Sequence, residues 1–330
     1  MIITRTPFRI SFFGGGTDLP AYFEEHGGAV ISTTIDKYLY ITCRTLAPYW
    51  PHKHQLKYGS ANEEVREIDE IKHPSIRETM RFFDVQYGLD LHYNTDIPAR
   101  SGMGSSSSFT VGLVNALYGM GGHMPSKKKL AVDAIHIEQD LIGEAVGCQD
   151  QIAAAFGGLN YITFKKGGGF FVSPIVLKRE RYEELEKHLL LVFTGFQRFA
   201  SDIEKEKISN IRKKEDVLDR MSKITSEALD ILTSERDICD FGKLMNETWM
   251  LKKSLSEKVS NSAIDKIYDK GLEAGAIGGK LLGAGGGGFM LFFCAPEKQG
   301  ALLESLKDYL HIPFKFERNG SQVIYYREED

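Results

Sequence analysis

The chain has 330 residues, of which 42% are hydrophobic and 26% are charged, and its formal net charge is −4. This length is sufficient for two domains that share an interface, and the composition is that of a globular protein. The mildly acidic balance argues against a nucleic-acid or anionic-membrane partner, because binding to such surfaces requires a basic excess. We therefore expect small molecules as the partners.

The cysteines and the apolar segments predict a cytoplasmic protein. The four cysteines are far apart, form no Cys-x-x-Cys pair, and are typical of reduced thiols; they are Cys43, Cys148, Cys239 and Cys294. The first residues lack the long apolar run of a secretory signal. No stretch approaches the roughly 20 apolar residues of a membrane span.

The first 185 residues mix predicted strands, glycine-rich turns and helices. Residues 2–13 and 28–46 are rich in β-branched and aromatic residues, which predicts one strand and then a pair of strands. Another strand is expected around residues 89–93. Apolar residues at helical spacing predict helices that start near Ser105 and Ser126, and a strand is expected at 159–164.

The composition changes after about residue 180. Residues 202–258 contain no proline and a single glycine, which predicts two long charged helices. A helix at 262–274, a strand, a glycine loop at 283–288, an apolar strand and a helix at about 297–309 follow. Asn319 and Gly320 predict a final β-hairpin. This mixture favours an α+β protein with domains at residues 1–185 and 186–330.

Residues 98–108 place Gly102 and Gly104 before four consecutive serines and an amphipathic helix. Glycines let backbone N–H groups approach an anion, and the start of a helix favours negative charge. The run therefore predicts a phosphate loop or, as the simpler alternative, a serine-capped helix. The Walker A, dinucleotide, protein-kinase and Gly-x-Ser-x-Gly patterns are all missing, which disfavours a dinucleotide oxidoreductase.

Two carboxylates downstream of this loop are candidates for catalysis. Glu138 falls in the centre of an apolar helix face, where it needs either an arginine partner or a metal ion. Magnesium bound by Glu138 and a loop serine would satisfy it. Asp150 precedes a short apolar helix, where it either caps the helix or orients and deprotonates an attacking hydroxyl.

Three motifs in this order resemble those of the GHMP kinases, the family of galactokinase, homoserine kinase, mevalonate kinase and phosphomevalonate kinase. They are TPFRISFFGGGTD (6–18), GMGSSSS (102–108) and KLLGAGGGG (280–288), and the resemblance covers nearly the whole chain. It implies an N-terminal ribosomal S5-like domain that binds ATP, a C-terminal ferredoxin-like domain, and a site between them that uses ATP and Mg²⁺.

The resemblance also implies roles for individual residues. Asp150 and Arg9 are expected to act in catalysis, and Ser106 (with Ser105 as the alternative) and Glu138 to bind Mg²⁺. The residues expected to contact ATP are Gly102, Met103, Gly104, Ser105, Ser106, Ser107, Gly285 and Gly286. The residues expected to contact the substrate are Gly15, Gly16, Thr17, Asp18 and Arg198.

One departure from the family pattern concerns the acceptor. Galactokinases carry Gly-Glu-His-Thr-Asp where this chain has Gly-Gly-Gly-Thr-Asp at 14–18, and the loss of two large side chains opens the pocket. This motif resembles that of the subgroup acting on D-glycero-D-manno-heptose 7-phosphate and, more loosely, that of L-fucokinases. A phosphorylated substrate needs a second anion site, for which Arg198 and Arg100 are candidates unless they are solvated surface arginines.

The predicted function is therefore ATP-dependent phosphorylation of the anomeric hydroxyl of a sugar phosphate. A heptose 7-phosphate, converted to the 1,7-bisphosphate, is the expected acceptor. An L-fucokinase or a galactokinase-like enzyme is the alternative within the fold. A catalytically inactive sugar- or ATP-binding regulator is the alternative outside catalysis, because one fold can host both functions.

Overall fold

The described residues, 1–98, 101–195 and 214–328 of a computed structural model, form thirteen strands and ten α-helices. The strands are β1 (Ile2–Phe13), β2 (Gly28–Thr45), β3 (His54–Tyr58), β4 (Ala61–Val65), β5 (Leu89–Thr95), β6 (Asn160–Phe164), β7 (Phe170–Pro174), β8 (Leu189–Phe193), β9 (Gly278–Leu281), β10 (Phe289–Phe293), β11 (Leu310–His311), β12 (Phe316–Glu317) and β13 (Gln322–Tyr326). The helices are α1 (Pro20–His26), α2 (Pro74–Phe82), α3 (Ser105–Met120), α4 (Lys127–His136), α5 (Gln149–Phe156), α6 (Arg179–Lys187), α7 (Glu215–Thr233), α8 (Cys239–Leu255), α9 (Ser262–Glu273) and α10 (Gln299–Ser305). None of these helices has both the length and the apolar character needed to cross a membrane.

The strands form two sheets. The larger has the order β13-β1-β2-β5-β3-β4, and β12, β6 and β7 join it through β2. The smaller has the order β11-β8-β10-β9, with β8 and β10 antiparallel and almost wholly buried. Because β10 is buried on both faces, its sequence is a continuous apolar run, and this run is the pattern that predicted the strand.

Several predicted elements are confirmed. The helix expected from Ser105 is α3, and the one expected from Ser126 is α4, where the Ser126 hydroxyl accepts the N-cap hydrogen bond from the Lys129 amide. Two charged helices, α7 and α8, lie within the described part of 202–258. The helix expected at about 297–309 is shorter, because a 3₁₀ turn at Pro296–Lys298 precedes α10.

The pair of strands predicted at 28–46 is wrong, because these residues form the single 18-residue strand β2. The strand changes partners along its length: its first part pairs with β6, its last part with β5, and β1 runs beside most of it. The central part of the strand therefore has partners on both edges. That continuity depends on strands far away in sequence, which a local pattern does not reveal.

The predicted terminal hairpin is also wrong. β12 pairs with β2 and β13 pairs with β1, so the two strands are not partners of each other. The chain between them lies against the end of α5, where the Ser321 amide donates to the Ala154 carbonyl at 2.8 Å. The last strands thus complete the sheet of the N-terminal half, and the predicted division at residue 185 stays a prediction.

The two sheets meet near the end of β1. Phe241 of α8 packs edge-on against Phe12 and Phe13, with ring centroids 5.5 and 4.8 Å apart. The buried Lys280 ammonium of β9 donates to the Phe12 carbonyl at 2.9 Å. These contacts fix the glycine-rich turn after β1 against the second sheet, and this is where the predicted site residues lie.

Candidate active site

The loop before α3 has the backbone geometry of an anion cradle. Gly104 is the N-cap of α3 in the left-handed region, with φ of 73°, and Gly102 has φ of 81°. Glycine adopts this conformation without the steric cost that other residues incur. The first amides of α3 therefore follow a partly buried glycine turn that can accept negative charge.

The third glycine motif packs directly on this loop. A Cβ at Gly283 would lie 2.5 Å from the Gly102 Cα, and Gly283 has φ of 70°. The Phe289 amide donates to the Ser101 carbonyl at 3.2 Å, and the Gly286 amide donates to the Val259 carbonyl at 2.9 Å. The two glycine segments can approach this closely only because neither carries a side chain. Contact of Gly285 and Gly286 with ATP stays a prediction.

Arg9 and Asp150 form a bidentate ion pair beside the phosphate loop. Arg9 Nε and Nη2 donate to the two carboxylate oxygens, each at 2.7 Å, and Nη1 donates to the Gly102 carbonyl at 2.8 Å. The arginine side chain is 4% exposed and the aspartate side chain 24%. Asp150 is the second residue of α5, whose N-cap is Cys148, so the capping alternative for Asp150 is wrong. The carboxylate remains open to a ligand on one side.

Glu138 lies in a π-helical turn, Ile137–Leu141, and is completely buried. Its Oε2 accepts hydrogen bonds from the Ser107 hydroxyl at 2.9 Å and from the Gln151 amide. Burial raises the pKa of Glu138 to about 7, and the hydrogen bonds from Ser107 and Gln151 offset only part of that rise. Its partners among the described residues are hydroxyl and amide groups, so the predicted alternative of a buried arginine partner is wrong.

One oxygen of this carboxylate is without a partner. Glu138 Oε1 is buried and accepts no hydrogen bond within the described residues. Ser107, which the sequence placed among the ATP contacts, supplies the hydroxyl nearest to the carboxylate, whereas Ser106 is exposed one residue earlier. The choice between neighbouring serines depends on the rotation of α3, which the motif alone does not determine.

The turn after β1 holds the predicted substrate residues. Thr17 is fully buried, and its hydroxyl lies 2.8 Å from the Gly14 carbonyl and 3.0 Å from the Ala29 carbonyl. Asp18 is 2% exposed and accepts hydrogen bonds from the amides of Gly16 at 2.8 Å and Gln149 at 3.3 Å. The motif therefore connects the turn to the start of α5, next to Asp150.

Two predicted residues lie outside the described residues, namely Arg100 and Arg198. The sequence argument also missed two residues of the site. Gln149 and Gln151 flank Asp150, and each has a side-chain oxygen that is buried without a partner in the described chain. Two polar residues at the start of an otherwise apolar helix were the available indication.

Comparison with known proteins identifies the family. The model described as "GHMP kinases N terminal domain" matches residues 73–158, and the model "GHMP kinases C terminal" matches 227–312. A D-glycero-alpha-D-manno-heptose 7-phosphate kinase of Campylobacter jejuni is 31% identical over 322 residues, which cover 93% of both chains. The chain belongs to the GHMP kinase family.

Other GHMP kinase relatives agree with this assignment. The bifunctional fucokinase/GDP-fucose pyrophosphorylase of Arabidopsis thaliana is 26% identical over 94% of this chain, which spans 31% of that protein. The crystal structure of a D-glycero-D-manno-heptose 1-phosphate kinase from Bacteroides thetaiotaomicron has a TM-score of 0.81 and 22% identity, and the match covers 99% of this chain and 100% of that one. The predicted GHMP kinase fold is confirmed, and the chain is a phosphotransferase of this kinase family.

Proposed function

We propose that this GHMP kinase transfers the γ-phosphoryl group of ATP to the anomeric hydroxyl of D-glycero-D-manno-heptose 7-phosphate, giving the 1,7-bisphosphate. The observation that carries the proposal is the Arg9–Asp150 pair, which lies against the Gly102 carbonyl of the phosphate loop. The short distance between this carboxylate and the glycine loop supports the proposal, because an acceptor hydroxyl at Asp150 would lie next to backbone amides that can bind the donor phosphates. A cytoplasmic location stays a prediction.

The choice of acceptor is supported by the relative and by the pocket. The Campylobacter jejuni protein named for heptose 7-phosphate shares 31% of its residues with this chain over nearly the full length. Glycines at 14–16 leave the turn after β1 without the large side chains of the galactokinase motif. The fucokinase relative favours a second candidate, an L-fucose kinase, whose acceptor carries no phosphate.

The described side chains can divide the chemistry as follows. Asp150 accepts the proton of the attacking hydroxyl or holds that hydroxyl in line, and Arg9 fixes the carboxylate and offsets negative charge that develops nearby. The amides at the start of α3 bind phosphate oxygens. Phosphoryl transfer through a loose transition state needs positioning and charge stabilisation more than a strong base.

A magnesium ion fits the group of residues around Glu138. The unpaired, buried Oε1 of Glu138 is an oxygen ligand, and the Ser107 hydroxyl is adjacent to the same carboxylate. Magnesium commonly takes one or two protein oxygens and completes its octahedron with phosphates and water. When bound, it would neutralise phosphate charge; Glu138 and a serine, either Ser106 or Ser107, would hold it at the phosphate loop.

A coupled ADP-release assay tests the proposal. The purified chain is offered ATP and Mg²⁺ with heptose 7-phosphate, L-fucose, galactose or mevalonate, and the product is mapped by ³¹P NMR. We expect turnover with the heptose phosphate and a new phosphate at the anomeric carbon. Faster turnover with a free sugar would favour the second candidate, and ATP binding with no ADP release for any acceptor would favour an inactive regulator.

A further inference from the structure

The side chain of Gln149 has a feature that the proposed chemistry does not use. Gln149 is the first residue of α5, and its amide oxygen Oε1 is buried without a hydrogen-bond partner in the described residues. An unpaired buried amide oxygen destabilises a folded protein, because it has lost its hydrogen bonds to water. Such groups are uncommon in folded proteins, and one beside a catalytic carboxylate points to a ligand that pairs with it.

The glutamine amide lies against the wall formed by Gly15. A Cβ built on Gly15 would lie 3.5 Å from Gln149 Nε2 and 3.7 Å from Ser11 Oγ. Ser11 is 5% exposed, and its hydroxyl is also unpaired within the described chain. Three features therefore converge: a position with no side chain, an unpaired amide oxygen and an unpaired hydroxyl.

Asp18 holds the backbone of Gln149 in this place. One carboxylate oxygen accepts from the Gln149 amide nitrogen and the other from the Gly16 amide nitrogen. A Cβ at Gly147 would lie 1.9 Å from Asp18 Oδ2, so only glycine allows this approach. Asp18 thus acts as a positioning residue that fixes the start of α5 against the turn after β1.

The polar pair is adjacent to the reacting groups on both elements. Ser11 and Arg9 are two residues apart on β1, so their side chains share one face of the strand. The irregularity in the β1–β2 register lies after Ser11 and does not separate them. Gln149 and Asp150 are neighbours in the first turn of α5. Their side chains point to different neighbours: Gln149 lies by Gly15 and Ser11, and Asp150 lies by Gly104 and Arg9. An acceptor whose reacting hydroxyl meets Asp150 and which extends along β1 from Arg9 towards Ser11 would therefore present its next polar group to Gln149.

We propose that Gln149 is a specificity-determining residue that binds a second hydroxyl of the sugar, next to the one that is phosphorylated. This deepens the proposed function and rests on it. An amide both donates and accepts, as a sugar hydroxyl does, so the two groups can satisfy each other. Sites built to bind a hydroxyl reject analogues that lack it, because the protein group is then left unpaired.

The test compares the full-length wild type with Gln149→Met and with a matched control, Gln86→Met, on an exposed loop. Each protein is assayed with the sugar that the wild type phosphorylates and with its single-deoxy analogues. We expect Gln149→Met to raise the KM for the sugar about tenfold or more, with the KM for ATP unchanged. The preference of the wild type for the sugar over one deoxy analogue should disappear in the variant.

A second variant protects the test against misfolding. Gly15 is not in the left-handed region and a Cβ there would make only ordinary contacts, so the backbone accepts Gly15→Leu and the new side chain would lie beside the Gln149 amide. It should cause the same loss of discrimination. An unchanged sugar KM with unchanged discrimination in both variants would overturn the proposal. A lower kcat with unchanged discrimination would also overturn it, because Gln149 would then act only through Asp150.

The outcomes for the two proposals can be separated. If the wild type is inactive on heptose 7-phosphate but phosphorylates another sugar, the proposed acceptor is wrong, and Gln149 is tested with that sugar. If the wild type phosphorylates only an acceptor that has no second hydroxyl beside the reacting one, the role of Gln149 is refuted. Loss of discrimination in Gln149→Met with any sugar supports it.

Discussion

Arg9 binds Asp150 through two parallel hydrogen bonds, and its third donor reaches the Gly102 carbonyl of the phosphate loop. One guanidinium group therefore connects β1, α5 and the predicted phosphate loop, which are distant in sequence. The fork of an arginine suits this arrangement, because a lysine ammonium cannot present planar, bidentate donors. The ion pair is the geometric centre of the candidate site.

Replacing Asp150 by Asn should reduce kcat by roughly 10²–10⁴-fold and leave the KM for ATP within a few-fold of the wild type. The asparagine side chain keeps the shape of the carboxylate but removes its charge and one of the two acceptors for Arg9. Steady-state kinetics measure both constants. Asp69→Asn, at a 78% exposed side chain, is the control and should have no effect. A wild-type kcat in Asp150→Asn would refute the assignment of Asp150.

Ser106→Ala and Ser107→Ala should separate the two candidate magnesium ligands. The Ser107 hydroxyl donates a hydrogen bond to Glu138, whereas the family motif favours Ser106 as the ligand. The variant that loses the true ligand should need at least about tenfold more Mg²⁺ for half-maximal activity. Titration of Mg²⁺ at saturating ATP measures this. Equal, wild-type requirements in both variants would exclude both serines as ligands.

Glu138→Gln should change how stability depends on pH in the metal-free protein. The folded-state pKa of about 7 lies above the ordinary value of 4.5, so the folded state binds the proton more tightly than the unfolded state does. Stability should therefore fall as the pH rises from about 4.5 to 7, by roughly 3 kcal/mol. Urea unfolding in EDTA measures this; relative to wild type, Glu138→Gln should gain stability across that window. A constant difference would contradict the assignment.

His54→Asn should have the opposite effect. Burial lowers the pKa of His54 to about 4, and its Nδ1 accepts from the Leu89 amide at 3.3 Å. In the unfolded state His54 has its ordinary pKa of about 6.5 and binds the proton more tightly. The free energy of unfolding of the wild type should therefore fall as the pH drops from about 6.5 to 4. The loss is roughly 2–3 kcal/mol. The wild type should therefore lose stability relative to His54→Asn on acidification, as measured by urea unfolding at pH 7 and 4.5.

Gly283→Ala should damage the contact between the two glycine segments. The new Cβ would lie 2.5 Å from the Gly102 Cα, and φ of 70° is unfavourable for alanine. We expect a loss of roughly 2–4 kcal/mol in stability and a higher KM for ATP. Gly300→Ala is the matched control, since its Cβ would meet no atom within 4 Å. Equal melting temperatures for the two variants would contradict the packing argument.

The local elements were predicted well from sequence and the long-range pairing was not. The spacing of apolar residues predicted α3 and α4, and the apolar run predicted β10. The same type of pattern gave two strands where β2 is one, and a hairpin where β12 and β13 pair with different strands. Strand pairing is decided by partners that lie far away in the sequence.

The candidate site shows the same division. Glu138 stood out in the sequence because a carboxylate on an apolar face needs a partner, but the partner itself, Ser107, follows from the rotation of α3. Arg9 and Asp150 were both expected to act in catalysis from the family resemblance, whereas their pairing and the bond from Arg9 to the Gly102 carbonyl are properties of the folded chain.

The sequence by itself determined the kinase family, through three motifs in the family's order. It also singled out the predicted phosphate loop and the two acidic residues, because glycines that let backbone amides reach an anion and a carboxylate amid apolar residues are chemical requirements visible in the sequence. The tertiary structure decided how these parts meet. It placed Gly283 on Gly102, connected Asp18 to the start of α5, and left the buried amide oxygen of Gln149, beside Gly15, without a partner among the described residues. Such contacts join residues more than a hundred positions apart: the packing of the two sheets brings Gly283 to Gly102, and the packing of α5 beside β1 brings Gln149 to Gly15 and Asp18.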